Sequence, residues 1–358
     1  MPVNSPDVKE GASPAGAVQE KSPSAGLLRR LAQGALGVSL LGGLLWLLLR
    51  KIEWPKFLAA LRHMDLRYLA LAVVIDITLN LTAFVQRLRT LLRAFPVARR
   101  ERFVDLALLS AASYAAGTLL PGQPGLALRT VELRRRYGYE YSDVITAQLV
   151  EKLIEVVSIS MLGWLALLGR PPRAVAITLW LVVLGAPAGA LVLLWASRLV
   201  RAREAPAEGQ KPTLGTRLRA ARVRLGDSVG RLQQPGLLLR SLAWSVVSHL
   251  CGVLAVGLCL LGMGLSYSMP TWALLYMVVN LALVMPLTPG QVGIVEAGVV
   301  GALKLLGAQR EPALAFALVY HVAQVLPTTL LGIAVLPSLW PRARSDGSAP
   351  QGPQTLGA

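Results

Sequence analysis

Apolar runs of roughly 17–29 residues recur along this 358-residue chain, from Leu31 to Leu336, and about 18 nearly charge-free residues suffice to cross a bilayer as a helix. That pattern constrains the fold more than any other feature. Charged residues make up only 15% of the chain and hydrophobic residues 54%, where about 25% charged is usual in soluble domains. A soluble enzyme, a disordered chain and a disulfide scaffold are thereby set aside. The formal net charge of +17 is of a size that also marks nucleic-acid binders. Here nearly all 36 Lys and Arg lie between the apolar runs, as the positive-inside rule and attraction to anionic lipid demand. No nucleic-acid partner is expected. Cys251 and Cys259 sit in one apolar run, about 12 Å apart along a helix, too far for a disulfide.

Residues 1–26 are rich in Ser, Pro, Ala and Gly and read as a disordered cytoplasmic tail. Arg29 and Arg30 precede the run Leu31–Leu49, which is too long for a signal peptide and reads as a retained first helix. Further apolar segments cover 66–85, 104–120, 144–169, 174–196, 236–263, 272–288, 290–306 and 312–336. Residues 338–358 read as a second disordered tail. Between 197 and 235, Leu214, Leu218, Ala221, Leu225 and Leu232 recur at helical spacing against Arg217, Arg219, Arg222, Arg224 and Arg231. This is either a surface helix on the anionic leaflet or a solvated basic linker.

Two segments are broken. The run 104–120 ends in Leu119–Gly125, and 272–288 joins 290–306 through Pro286–Gly293 with no polar loop. Proline and glycine interrupt the helix there, and such backbone is tolerated at membrane depth only inside protein or beside a wet cavity. The breaks share a pentad: Pro121-Gly122-Gln123-Pro124-Gly125 matches Pro289-Gly290-Gln291-Val292-Gly293 at an offset of 168. The same offset maps 66–85 onto the start of 236–263, and 144–169 onto 312–336. A one-residue shift sets Gln148–Val156 beside Ala317–Val325, with Lys152 opposite His321 and Glu155 opposite Gln324. The expectation is one membrane domain over 27–337, built from repeat one (about 66–169) and repeat two (about 234–337).

With the amino terminus cytoplasmic and both broken hairpins re-entrant, six helices span and both ends lie inside. Inside segments then hold 25 Lys and Arg and outside loops 8, although the 50–67 loop places five on the outside. The repeats run in opposite directions, an architecture found in transporters. The expected fold is therefore all-α integral membrane, with about six spanning helices and two re-entrant broken hairpins in an inverted repeat.

Each hairpin starts a new helix just after its pentad, where free N–H groups and partial positive charge suit a phosphate or carboxylate. An ionisable residue follows within about a turn: Arg129 in one, Glu296 in the other. Alternatively the pentads only shape tight turns, with Gln123 and Gln291 capping backbone. Ionisable residues within spans are functional candidates by default: Asp76, Glu151, Lys152, Glu155, Glu296, Lys304 and His321. Lys152 and Glu155 are three apart and can pair for purely structural ends. Lys304 snorkels from its span's end. His321 is either a ligand or a neutral core histidine. No H-E-x-x-H, G-x-S-x-G, Walker or G-x-G-x-x-G motif occurs, nor any Cys/His metal spacing. Neither a catalytic residue, a metal nor a cofactor is expected.

The stretches Pro286–Gly307 and Pro121–Arg136, with the Glu151-Lys152 pair, resemble the transmembrane-domain family of lysylphosphatidylglycerol synthetases, also called flippase-like membrane proteins. The likeness covers roughly residues 30–337. It implies movement of phospholipid between leaflets by a stand-alone form without the synthetase domain. The family often carries Glu-Arg where this chain has Glu151-Lys152, and Arg in the last helix where it has His321. Lysine keeps the charge but not the bidentate fork. The expectation is translocation of a phospholipid or lipid-linked headgroup in the cytoplasmic membrane, bound through Gln123, Gly125, Arg129, Glu151, Lys152, Pro289, Gly290, Gln291, Gly293, Glu296 and His321. Asp76 or Glu296 would couple to protons. Expected partners are lipids with anionic, aminoacylated or polyprenyl-linked headgroups, and a separate lipid-modifying enzyme. The alternatives are a membrane-embedded enzyme and an accessory scaffold acting on lipid-linked envelope precursors.

Overall fold

The computed structural model describes residues 43, 46, 50, 52–97, 100–119, 124–201, 226–283 and 288–339, the backbone alone at 193–201, 283, 289, 338 and 339. The expected tail 1–26, most of the first apolar run, Gln123, most of the basic loop and nearly all of the tail 338–358 lie outside them. Every regular element among the described residues is helical. In chain order they are α1 (Trp54–Arg62), α2 (Leu66–Leu92), α3 (Phe103–Leu119), α4 (Pro124–Tyr137), α5 (Tyr141–Leu168), α6 (Arg173–Arg201), α7 (Pro235–Gly262), α8 (Met269–Leu283), α9 (Ile294–Leu305) and α10 (Arg310–Leu339).

Four of these meet the length and apolarity of a membrane span: α2, the Arg173–Val192 part of α6, α7 and the Arg310–Pro337 part of α10. Helix α5 is 28 residues long but carries Glu151, Lys152 and Glu155 in its middle. Buried and lipid-facing surfaces separate cleanly. Helix α7 is the central post, with 72% of its apolar window buried inside the protein, against 17% for α6. On α10, Val322, Leu326, Leu330 and Ile333 form an exposed apolar stripe at helical spacing, the face a lipid-bathed helix presents. The protein is an all-α, multi-pass integral membrane protein.

The element order α2–α3–α4–α5 recurs as α7–α8–α9–α10, and the packing is reciprocal. Helix α3, the first arm of hairpin one, packs on α10, while α8, the first arm of hairpin two, packs on α5; α2 and α7 pack on each other. Small residues permit the close crossings. A Cβ at Gly332 would lie 2.2 Å from the Ala111 carbonyl oxygen, so α10 and α3 touch backbone to backbone, as small-residue membrane interfaces allow.

Two details correct the sequence picture. Span 66–85 runs on to Leu92, so Arg87 lies inside the protein rather than in a cytoplasmic loop. Arg129, likewise assigned to the inside charge, is buried too. Leu214, Leu218, Ala221 and Leu225 of the expected surface helix lie outside the described residues; the end of that loop, helical over 226–232, docks on the protein, with Leu232 buried and Ser228 Oγ donating to Asp143 at the start of α5 (2.6 Å).

Candidate functional site

Helix α2 is interrupted by a π-helical turn over Asp76–Asn80, a feature that often marks functional positions. Asn80 donates to Asp76 Oδ1 (2.7 Å), Ser248 donates to Asn80, and Thr328 Oγ1 on α10 reaches Asp76 Oδ2 (3.4 Å). Asp76 lines a cavity of about 10 Å³ with Gly252, Cys259, Tyr320 and Gln324. That is room for about one water, not for a headgroup.

Hairpin one is built by close approach. A Cβ at Gly125 would fall 1.9 Å from the Ser113 carbonyl oxygen, so the second arm leans directly on the first. One turn later Arg129 reaches α5. Its Nη2 lies 3.0 Å from Glu151 Oε2 and 3.4 Å from Gln148 Oε1, and Gln148 donates to Thr130 (2.7 Å). Glu151 has a second cation: Arg87 of α2 places Nη2 at 3.0 Å and Nε at 3.3 Å from Oε1. Arg87 Nη1 donates to Ser245 of α7 (3.0 Å), which meets Ser158 (2.7 Å). Both guanidinium groups lie over the Phe84 ring, at 5.0 and 5.7 Å. Arg87, Arg129 and Glu151 are exposed by only 2%, 4% and 1%. Glu155 stands 3.7 Å from Arg87 and 2.8 Å from Lys152. The three buried groups, Arg87, Arg129 and Glu151, carry a surplus of one positive charge, while Lys152 and Glu155 at the edge offset each other. Arg129 Nε is buried with no hydrogen-bond partner.

Hairpin two turns through left-handed backbone: φ is 61° at Gly290, 57° at Gln291 and 89° at Gly293. Glycine adopts that region without Cβ strain; Gln291 is held there by Gln291 N–H to Thr288 O (3.0 Å), with Thr288 Oγ1 donating to Val292 O (2.9 Å). Gln291's own side chain makes no hydrogen bond among the described residues. Gly293 is the N-cap of α9. Glu296 reaches back to accept its N–H (2.6 Å), and Glu296 Oε1 meets His321 Nδ1 on α10 (2.6 Å). His321 Nε2 faces the Gly290 carbonyl (3.1 Å). The two hairpins touch where Thr118, near the end of α3, lies beside Gly290.

The expected site residues thus fall into two clusters. Arg129 and Glu151 join through hairpin one; Gly290, Gly293, Glu296 and His321 join through hairpin two, and Pro289 opens its turn. Lys152 joins neither. Its side chain is 59% exposed and pairs with Glu155, the structural use its spacing allowed. Arg87 and Ser245 escaped the sequence reading, since Arg87 follows the charge-free run. The available signal was periodicity: Ala83, Arg87 and Leu91 continue one buried face at four-residue steps.

Spanning helices, two broken hairpins and buried polar clusters beside them define a multi-pass membrane protein with a polar interior. The chain belongs to the lysylphosphatidylglycerol synthase TM region family, whose model matches residues 34–332, most of its length. No curated protein shows significant similarity to it.

Proposed function

We infer that the protein translocates a phospholipid or lipid-linked headgroup between leaflets of the cytoplasmic membrane. The observation that carries this is the buried surplus of positive charge at hairpin one, where Arg129 keeps an unpartnered Nε. A phosphate entering a bilayer loses its water, and that desolvation is the main barrier. A guanidinium already fixed by Glu151 offers a planar, preorganised donor in place of that water, while acyl chains stay in lipid. Family membership supports a lipid substrate. The recurring element order and reciprocal packing support an inverted repeat over about 66–169 and 234–337, with the hairpin tips facing a shared groove. Glu151 and Glu296 are each engaged by a cationic or imidazole partner, which favours holding a headgroup over acid–base chemistry.

The test is lipid movement in liposomes holding the purified protein, with labelled anionic, zwitterionic, aminoacylated and polyprenyl-phosphate lipids. Arg129→Ala is expected to slow movement of the preferred phosphate-bearing lipid by roughly 10- to 100-fold, the worth of a hydrogen bond to a charged group. Arg129→Lys is expected to retain part of it. Because Arg87 still pairs with Glu151, the alanine variant is expected to fold. A folded Arg129→Ala protein with wild-type rates for every lipid would overturn the assignment.

A further inference from the structure

Both nitrogens of the His321 ring face acceptors. Nδ1 lies 2.6 Å from Glu296 Oε1 and Nε2 lies 3.1 Å from the Gly290 carbonyl oxygen. Glu296 Oε2 is occupied by the Gly293 N–H. The two side chains are exposed by only 6% and 1%. A neutral imidazole has one N–H, and a carbonyl oxygen only accepts. The arrangement therefore holds two protons on the pair. Either an imidazolium faces a carboxylate, or a protonated carboxyl donates to Nδ1 while the ring proton sits on Nε2. Both forms satisfy every contact.

Removing one proton breaks a contact. With an ionised Glu296 and a neutral ring, the Nδ1–H tautomer keeps the carboxylate and turns a lone pair on the Gly290 oxygen. The Nε2–H tautomer sets a lone pair against a carboxylate at 2.6 Å, the stronger repulsion. The contact to Gly290 is the one lost. Hairpin one has no such dependence, because Arg87 and Arg129 keep their protons at any working pH.

We propose that Glu296 and His321 form a proton-binding site whose second proton latches the broken turn of hairpin two to α10 through the Gly290 carbonyl. With that proton bound, the left-handed turn is tied to a spanning helix. Without it, the turn keeps its Thr288 contacts and the Gly293 N–H bond to Glu296, but the Gly290 carbonyl loses its tie to α10. As regulation of the proposed groove the latch rests on the translocation reading, while the latch itself rests on the turn's geometry. The other titratable groups facing α10 stand elsewhere. Asp76 of α2 meets it at Thr328, two turns beyond His321. Tyr114 of α3, and Cys259 and Tyr276 from α7 and α8, act on Tyr320. Lys56 of α1 acts on Glu311 at the helix start. Among the described residues, the His321 ring bonds to Glu296 and Gly290 and to none of these groups.

Hydrogen exchange of segment 288–294 tests this in the full chain reconstituted in lipid, corrected for the intrinsic exchange rate. Wild-type protection is expected to fall about tenfold when raising the pH removes the second proton, the worth of one hydrogen bond lost. Glu296→Gln is the decisive variant. Its amide oxygen accepts the Gly293 N–H and its NH2 donates to Nδ1, so it mimics the protonated carboxyl with no proton to lose. Its tip is expected to stay protected as pH rises, with α7 peptides unchanged. If Glu296→Gln does not fold, His321→Gln replaces it, and its protection is expected to be independent of pH. A flat wild-type profile, or either variant tracking a pH-dependent wild type, overturns the latch. Loss of lipid movement with the latch intact would instead count against the translocation reading alone.

Discussion

Replacing Glu151 with alanine is expected to destabilise the folded protein by about 3–5 kcal/mol, because it strands buried Arg129 without a counter-charge and leaves Arg87 only the longer pair to Glu155. Arg87 and Arg129 both end on this one carboxylate, at 3.0 Å each, and none of the three side chains reaches solvent appreciably. Arg87 retains Ser245, and Glu155 stands 3.7 Å away. Arg129 retains only Gln148, at 3.4 Å. The loss should therefore appear chiefly where hairpin one meets α5. Removing Arg87 as well, in Arg87→Met with Glu151→Leu, should cost less than the sum of the single changes, since it takes out an ion pair rather than one partner. Unfolding titrations in mixed micelles measure Glu151→Ala, both single changes, the double variant and wild type. A Glu151→Ala protein within about 1 kcal/mol of wild type would show that the charges relax to other partners.

Gly125→Ala is expected to be nearly as severe, for a steric reason. The added methyl carbon would sit 1.9 Å from the Ser113 carbonyl oxygen and 2.9 Å from its carbon, both backbone atoms. No flexible side chain can yield, so α4 must shift away from α3. Overpacking of this kind typically costs about 1–3 kcal/mol. The functional effect should be larger, because Arg129 follows one turn later and a shift of about 1 Å breaks a 3.0 Å ion pair. Gly117→Ala is the matched control. It lies at the end of α3 with open space around its Cβ direction, and is expected to be neutral or slightly stabilising. Equal stability and equal lipid movement in the two variants would remove the close-approach account of hairpin one.

Part of this site is legible along the chain. Charge-free runs mark the membrane helices, because burying a charge in hydrocarbon is expensive. The paired pentads mark the breaks, because proline lacks the N–H a helix needs and glycine alone adopts left-handed backbone freely. Gly290 and Gly293 do so. Arg129 and Glu296 follow those breaks in sequence and are buried at them in the fold. Lys152 shows where such reasoning stops. It adjoins Glu151, yet neighbouring residues on a helix point about 100° apart, so Glu151 faces the interior while Lys152 faces out.

Class, the apolar runs, hairpin breaks and the family resemblance were determined by the amino-acid order itself, since each follows from local composition and backbone chemistry. Which charges pair was decided only by the tertiary structure. Glu151 is bonded to residues 64 and 22 positions away, and His321 to one 25 positions away. Arg87 and Ser245 are separated by 158. No periodicity relates such positions. Only the packing of α2, α4, α5 and α7, and of α9 on α10, brings donors within 3 Å or so of acceptors, the range in which a buried charge is compensated.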